Sequence, residues 1–134
     1  APSAQNYEPR EYIVVRDKAV IEKITEFHNY AKMLPEAGCG IIVCGDKEKQ
    51  ENIGFLVEDC SASIQNILLA AHGLGLGAVW CGIYSNDKLV EATKKLFNLP
   101  EHILPIGLAV VGNKNEEKRI IDRYDESKIH YDKW

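Results

Sequence analysis

The sequence is poor in paired cysteines, in long apolar runs and in excess basic charge. Its four cysteines, Cys39, Cys44, Cys60 and Cys81, form no C-x-x-C pair. His28, His72, His102 and His130 are not spaced with them as zinc ligands are, so no metal site is expected. A cystine scaffold is excluded, and the apolar settings of the thiols read as buried, reduced side chains of a cytoplasmic protein. The apolar run at residues 40–45 falls far short of the ~20 residues a membrane-spanning helix needs. No basic-then-apolar leader opens the sequence. Lys and Arg number 16 against 20 Asp and Glu, a net charge of −4. That balance argues against nucleic acid and anionic membranes as partners. Internal repeats, low-complexity tracts and linkers are missing. So are a nucleophile elbow and a G-x-x-x-x-G-K-[ST] loop, and nothing marks a hydrolase or an NTPase.

What is present fits one ordinary domain over residues 1–134, with 46% apolar and 27% charged residues. Strand propensity places a first strand at residues 11–16. Asp17 caps a helix expected over residues 18–30, and a short helical piece at 31–34 ends at Pro35. Residues 40–45 read as a central strand covered on both faces. Leu56, Cys60, Ile64, Leu68 and Ala71 form one stripe of a long helix over residues 55–72, with Gly73 as its C-cap. A short strand follows at 77–80. A helix at 87–97 is capped by Asn86 or Ser85, with Leu89, Val90 and Leu96 inward and Lys94 and Lys95 outward. A last apolar strand spans 104–111. Four strands and three or four helices are few for a closed domain, which implies a partner subunit or a further segment.

Several features carry possible chemistry. Gly73-Leu74-Gly75-Leu76-Gly77 follows a helix and precedes a strand, the reverse of a dinucleotide fingerprint. It would offer a ligand the partly negative end of a helix, so it reads as a tight turn. Val79, Trp80, Cys81 and Gly82 stand at a strand end, where open sheets carry ligands and a glycine lets a flat molecule approach the backbone. The alternative is a buried Trp beside a turn glycine. Residues 1–9 form a loop stiffened by Pro2 and Pro9, carrying Ser3 and Asn6. Asn29 and Lys32 are three apart on one helix face, a cation beside an amide. Lys118, Arg119 and Arg123 form a basic cluster able to grip a phosphate. If the chain is an enzyme, a bound cofactor carries the chemistry.

Taken in order, these segments resemble the nitroreductase family of FMN-dependent oxidoreductases. The resemblance rests on Ala1-Pro2-Ser3-Ala4-Gln5-Asn6, on Asn29-x-x-Lys32-Met33-Leu34 and on Asp59-x-Ser61-x-x-x-Gln65-Asn66. It continues through Gly73-Leu74-Gly75-Leu76-Gly77-Ala78-Val79-Trp80, Leu99-Pro100-Glu101, and Arg123 with His130-Tyr131. The first and fourth of these are the specific ones. The resemblance implies an α+β fold: a mixed, largely antiparallel sheet flanked by helices, in an intertwined homodimer. It implies FMN as cofactor, NADH or NADPH as reductant, and ping-pong transfer to a nitroaromatic, quinone or similar small-molecule acceptor. The chemistry would sit on flavin N5, with no catalytic side chain of the protein's own.

By the same resemblance, Pro2, Ser3, Ala4 and Asn6 match the loop along the flavin, usually from the neighbouring subunit. Lys32 and Asn29 match the pair near the pyrimidine edge, where reduction develops negative charge. Val79, Trp80, Cys81 and Gly82 match the segment whose backbone faces N5 and O4. Arg123, helped by Lys118 and Arg119, matches the phosphate contact. Members usually begin with a helix and an Arg-Arg-Ser-x-Arg segment. The sequence given opens past that point, so the N-terminal helical part is expected to be absent. Where the family usually has Gln-Pro-Trp, this sequence has Glu8-Pro9-Arg10, which makes the mouth more charged. The alternatives are a flavin-binding module without efficient turnover, and an α/β interaction protein whose glycines and Trp80 are structural.

Overall fold

Two apolar runs form the middle of the sheet. They are β2 (Cys39–Asp46) and β4 (Ile103–Asn113), which pair antiparallel from Cys39↔Val111 to Asp46↔Ile103. Sequence neighbours on such strands point to opposite faces, so each run is apolar throughout because both faces are covered. β1 (Arg10–Val15) adds to the outer side of β2, and β3 (Leu76–Gly82) to the outer side of β4. The order is β1-β2-β4-β3, and every pairing is antiparallel. The computed structural model describes all of residues 1–134.

Helices cover the two faces separately. On one lie α1 (Lys18–Phe27), the short α2 (Leu34–Ala37) and α4 (Asp87–Phe97). There Ile21, Ile24, Leu34, Ile42, Leu108 and Val110 share one buried cluster. On the other lies α3 (Ile53–Gly73), whose Cys60 and Ile64 pack against Val43, Ile106 and Ala109. Burying a side chain such as Leu56 or Ile64 contributes about 1.5–3 kcal/mol. α3 is long and apolar enough to cross a membrane by length and composition alone, but it carries Glu58 and a buried Asp59 and forms one whole layer of the core. Two glycines set the distance between layers. A Cβ on Gly45 would lie 2.5 Å from Leu56 Cγ, and one on Gly107 would lie 2.5 Å from Trp80 Nε1 and 2.8 Å from Ile64 Cδ1.

Some elements differ from the sequence reading. α1 stops at Phe27, because His28 takes an extended conformation, and a 3-10 turn (Asn29–Ala31) follows. Pro35 does not end a helix but sits in the first turn of α2, where its missing N–H costs nothing. The left-handed Gly38 (φ 77°) ends α2. α3 begins two residues earlier than the stripe implied, on the Asn52 cap, whose side chain accepts from the Phe55 N–H. Gly73 is its last helical residue; the positive φ falls to Gly75. β3 runs on to Gly82, so Trp80 stands inside the strand. Lys94 folds over to Glu101 and is largely covered.

Candidate functional site

β3 is an edge strand, and its C-terminal end is held from one side by the corner between α1 and α2. The register between β2 and β4 slips at Val43/Cys44, where Pro105 stands opposite Cys44 and Gly107 opposite Val43. Proline has no N–H to give the ladder, and the extra residue, Ile106, is left out of the pairing. Its carbonyl accepts from both Ile83 N–H and Tyr84 N–H, at 3.1 and 3.0 Å, and so turns the chain as it leaves β3. Nothing lies within 4 Å of a Cβ built on Gly82, so the backbone there is open to an incoming molecule.

Two bonds fasten this strand end to the corner carrying Asn29 and Lys32. The Cys81 thiol donates to the Tyr30 carbonyl at 3.1 Å, and His28 Nε2 lies 3.0 Å from the Gly82 carbonyl. A carbonyl only accepts, so Nε2 carries the proton and donates. Buried His28 has no partner at Nδ1. Desolvation holds its pKa below the ordinary value, against the opposing pull of the Gly82 carbonyl. Burial likewise pushes the Cys81 thiol up. Neither group is a nucleophile or a ready acid here; both fix backbone. Neither His28 nor Cys81 stands out in the sequence for this role, since the partners lie 54 and 51 residues away.

Lys32 does not converge with Asn29 on a helix face. It is the C-cap of the 3-10 turn and donates from Nζ to the Thr25 carbonyl on α1. An ammonium has three donors, so two remain for a ligand. Val79 and Lys118 come together along a groove of about 810 Å³, bounded by Met33 and Ala37 on one side and Leu68 and His72 on the other. That volume lies within the range of small-molecule and cofactor sites, roughly 300–1,000 Å³. Lys118 pairs with Glu116 at 3.0 Å, whereas Arg119 and Arg123 form no ion pair.

Residues 2–6 lie elsewhere. They lead into β1, the opposite edge strand, and are tied to α3 by the Ala4 N–H, which donates to Asp59 Oδ1 at 2.8 Å. One chain therefore gathers Asn29, Lys32, Cys81 and Gly82 at one edge and leaves Pro2, Ser3, Ala4 and Asn6 at the other. A second cluster, Asp46, Glu48 and His102, brings its ligand atoms within 4.8 Å of one another, but the Lys49 ammonium already lies 3.8 Å from Asp46 Oδ2 and supplies a cation there.

A family model described as the nitroreductase family matches residues 26–113. A protein of Methanothermobacter thermautotrophicus named "Putative NADH dehydrogenase/NAD(P)H nitroreductase" is 45% identical over 133 residues, covering 99% of this chain and 70% of that one. The crystal structure of a protein so named from Bacteroides thetaiotaomicron superposes with a TM-score of 0.94 at 41% identity, over 100% of this chain and 78% of that one. A solved "FMN-dependent Nitroreductase" from Clostridium difficile gives a TM-score of 0.90 at 25% identity, over 100% of this chain and 81% of that one.

Proposed function

This chain belongs to the nitroreductase family, and from that membership we propose that it is an FMN-dependent oxidoreductase. It takes electrons from NADH or NADPH and passes them, in ping-pong fashion, to a small-molecule acceptor such as a nitroaromatic or a quinone. The observation that carries the reading is the strand end at Gly82. It is open to solvent on its own side and fixed from behind by His28 and Cys81. A flat, polar-edged ring needs such a backbone shelf, with a cation near it. FMN, when bound, supplies the hydride-accepting and hydride-donating chemistry.

The chain's own residues bind and orient. Val79, Trp80, Cys81 and Gly82 would hold the ring through their backbone, because the Trp80 indole is already packed over Gly107. Asn29 and the two free donors of Lys32 would hold the edge where negative charge develops. Arg123, with Arg119 and Lys118, would grip the phosphate; the two arginines are free of carboxylate partners and so keep their donors for it. Pro2, Ser3, Ala4 and Asn6 would close the site from a second copy, since their own chain holds them at the far edge. The homodimer this requires is supported by the arm at residues 114–134, whose Ile120, Tyr124, Tyr131 and Trp134 are exposed. The unpaired edge of β3 adds to it. The four free thiols fit a reducing, cytoplasmic setting.

The test is the visible absorption spectrum of the purified chain, before and after FMN addition and desalting. A retained flavin band that bleaches with NADH or NADPH and returns with a quinone is the expected result. Retention without bleaching would leave a binding module. A folded chain that retains no flavin would overturn the reading.

A further inference from the structure

Asp59 is 6% exposed, inside the apolar stripe of α3 between Leu56 and Cys60. Its Oδ1 accepts from the Ala4 N–H at 2.8 Å, and its Oδ2 is buried without a partner. For stability alone, a buried carboxylate with an idle oxygen is a poor choice. What it provides is a charge-assisted hold on one backbone N–H.

That N–H belongs to a loop in need of holding. Gln5, Asn6 and Glu8 all lie in the left-handed region, at φ 54°, 58° and 49°. Such conformations persist only where the surroundings over-determine them. From Pro2 to Glu8 the other hydrogen bonds are local. Ser3 Oγ accepts from the Glu8 N–H, the Pro2 carbonyl accepts from Arg10, and the Asn6 and Tyr7 N–H groups bond back to Ser3 and Ala4. The bond to Asp59, 55 residues away, is the long-range polar tie of the strained stretch itself; the other stands at the loop's end, where the Pro9 carbonyl accepts from the Asp46 N–H at 2.7 Å as β1 begins. Arg10, on the Pro2 carbonyl, is the cation of the same neighbourhood, and the Cys60 thiol feels both charges.

We propose that Asp59 is a positioning residue, whose carboxylate fixes the strained loop bearing Pro2, Ser3 and Asn6 in the shape that receives the cofactor. This rests on the flavin reading above. Asp59 itself touches no ligand; it acts through Ala4.

The experiment pairs FMN dissociation constants, from quenching of FMN fluorescence, with amide hydrogen exchange of residues 4–7 in the same proteins. Asp59→Ala deletes the acceptor, and Asp59→Asn keeps one. Ala4→Pro deletes the donor with Asp59 intact, and Ser3 already has the extended backbone that precedes a proline (φ −140°, ψ 151°). The expected result is an FMN Kd raised about tenfold or more in Asp59→Ala and Ala4→Pro, and within about threefold of wild type in Asp59→Asn. Exchange at residues 4–7 (5–7 in Ala4→Pro, which has no amide at position 4) should rise while β2 and β4 keep their protection. A purely structural role would lower protection in β2 and β4 and spare the Kd of the protein still folded. Unchanged Kd and unchanged loop exchange in folded Asp59→Ala would overturn the proposal, and if that variant does not fold, the same result in Ala4→Pro would. Should the wild-type chain bind no FMN, the flavin reading fails by itself. Loop exchange then decides for Asp59: faster exchange upholds the anchor, and unchanged exchange sinks it.

Discussion

His28 and Gly82 are 54 residues apart in sequence and 3.0 Å apart at Nε2 and the carbonyl oxygen. That bond joins the corner bearing Asn29 and Lys32 to the open end of β3, so the two parts of the candidate site are tied together. His28→Leu keeps most of the volume and removes the donor. It should cost about 0.5–1.5 kcal/mol of unfolding free energy, the net worth of one hydrogen bond, because the Gly82 carbonyl at the exposed strand end can turn to water instead. It should also weaken FMN retention. Chemical denaturation of wild type and variant measures the first effect, and a cost near zero would show that the bond carries no weight in the fold.

The same histidine gives the stability a sign in pH. Its folded pKa lies below the ordinary value of 6.5, chiefly through desolvation. The unfolded chain therefore binds more protons below that pH, and stability falls as pH drops through it, levelling off beneath the folded pKa. Above it the contribution is fully present. His28→Gln can still donate to Gly82 but does not titrate, so its stability should fall less between about pH 8 and pH 5. Parallel pH series would settle this, and identical slopes would remove His28 as the source.

Gly107 gives room to Trp80. With a Cβ at 2.5 Å from the indole nitrogen and 2.8 Å from Ile64 Cδ1, Gly107→Ala must push the ring or the helix aside. Overpacking of this kind costs roughly 1–3 kcal/mol. Trp134 is fully exposed, so a Trp134→Phe background leaves Trp80 as the only indole reporter. The expected outcome is lower stability with a shifted Trp80 emission maximum. Adding Trp80→Ala should recover part of the loss, and strict additivity in that double-mutant cycle would disprove the contact.

How much of this was legible from the sequence depended on how local the cause was. The span of α4, Asp87 to Phe97, was readable because its signals are local; the sequence left the cap between Asn86 and Ser85, and it is the Asn86 side chain that takes the Leu89 N–H, while Asn98, turning left-handed, closes the other end. Pro35 was misread because the sequence shows a proline but not whether it stands before or inside a first turn. The Asn29–Lys32 pairing assumed that α1 continued, and the extended backbone at His28 ended it. Long-range partners left the faintest trace. Asp59 and Ser63 are polar residues one turn apart on the buried side of α3, and that interruption of an apolar stripe is the signal that points to β1 and its preceding loop. Ser63 Oγ meets Tyr12 Oη at 2.8 Å, and Asp59 meets Ala4.

The cysteines should divide by burial. Burial pushes the Cys44 and Cys60 thiols up to about 12, and Cys81 also upward, while Cys39 is partly exposed. The thiolate is the reactive form, so at mildly alkaline pH the first two have almost none of it. Alkylation of the native chain followed by mass spectrometry should modify Cys39 alone, with the other three reacting on unfolding. Native labelling of Cys44 or Cys60 at the rate of Cys39 would contradict their placement in the core.

The arm at residues 114–134 holds itself and nothing else. Its hydrogen bonds and ion pairs all close within the arm, as in Ser127 to Asp125 and Lys114 to Glu117, and its one ring contact is His130 on Trp134, centroids 4.3 Å apart. Ile120 is 95% exposed and Trp134 fully so. Ordering such a segment costs about 1–2 kcal/mol per residue in backbone entropy, which nothing in its own chain offsets. A second copy would offset it by covering the isoleucines and aromatics and by presenting its own β3 edge and α3 face, where Leu69 is exposed. Sedimentation equilibrium at micromolar concentration should therefore show a dimer for the whole chain and a monomer after deletion of residues 114–134. The truncated body should keep its far-ultraviolet spectrum, because the two buried clusters draw on no residue beyond Val111. It should bind FMN weakly, having lost both Arg123 and the neighbouring loop. A whole chain that sediments as a monomer at that concentration would refute the shared site.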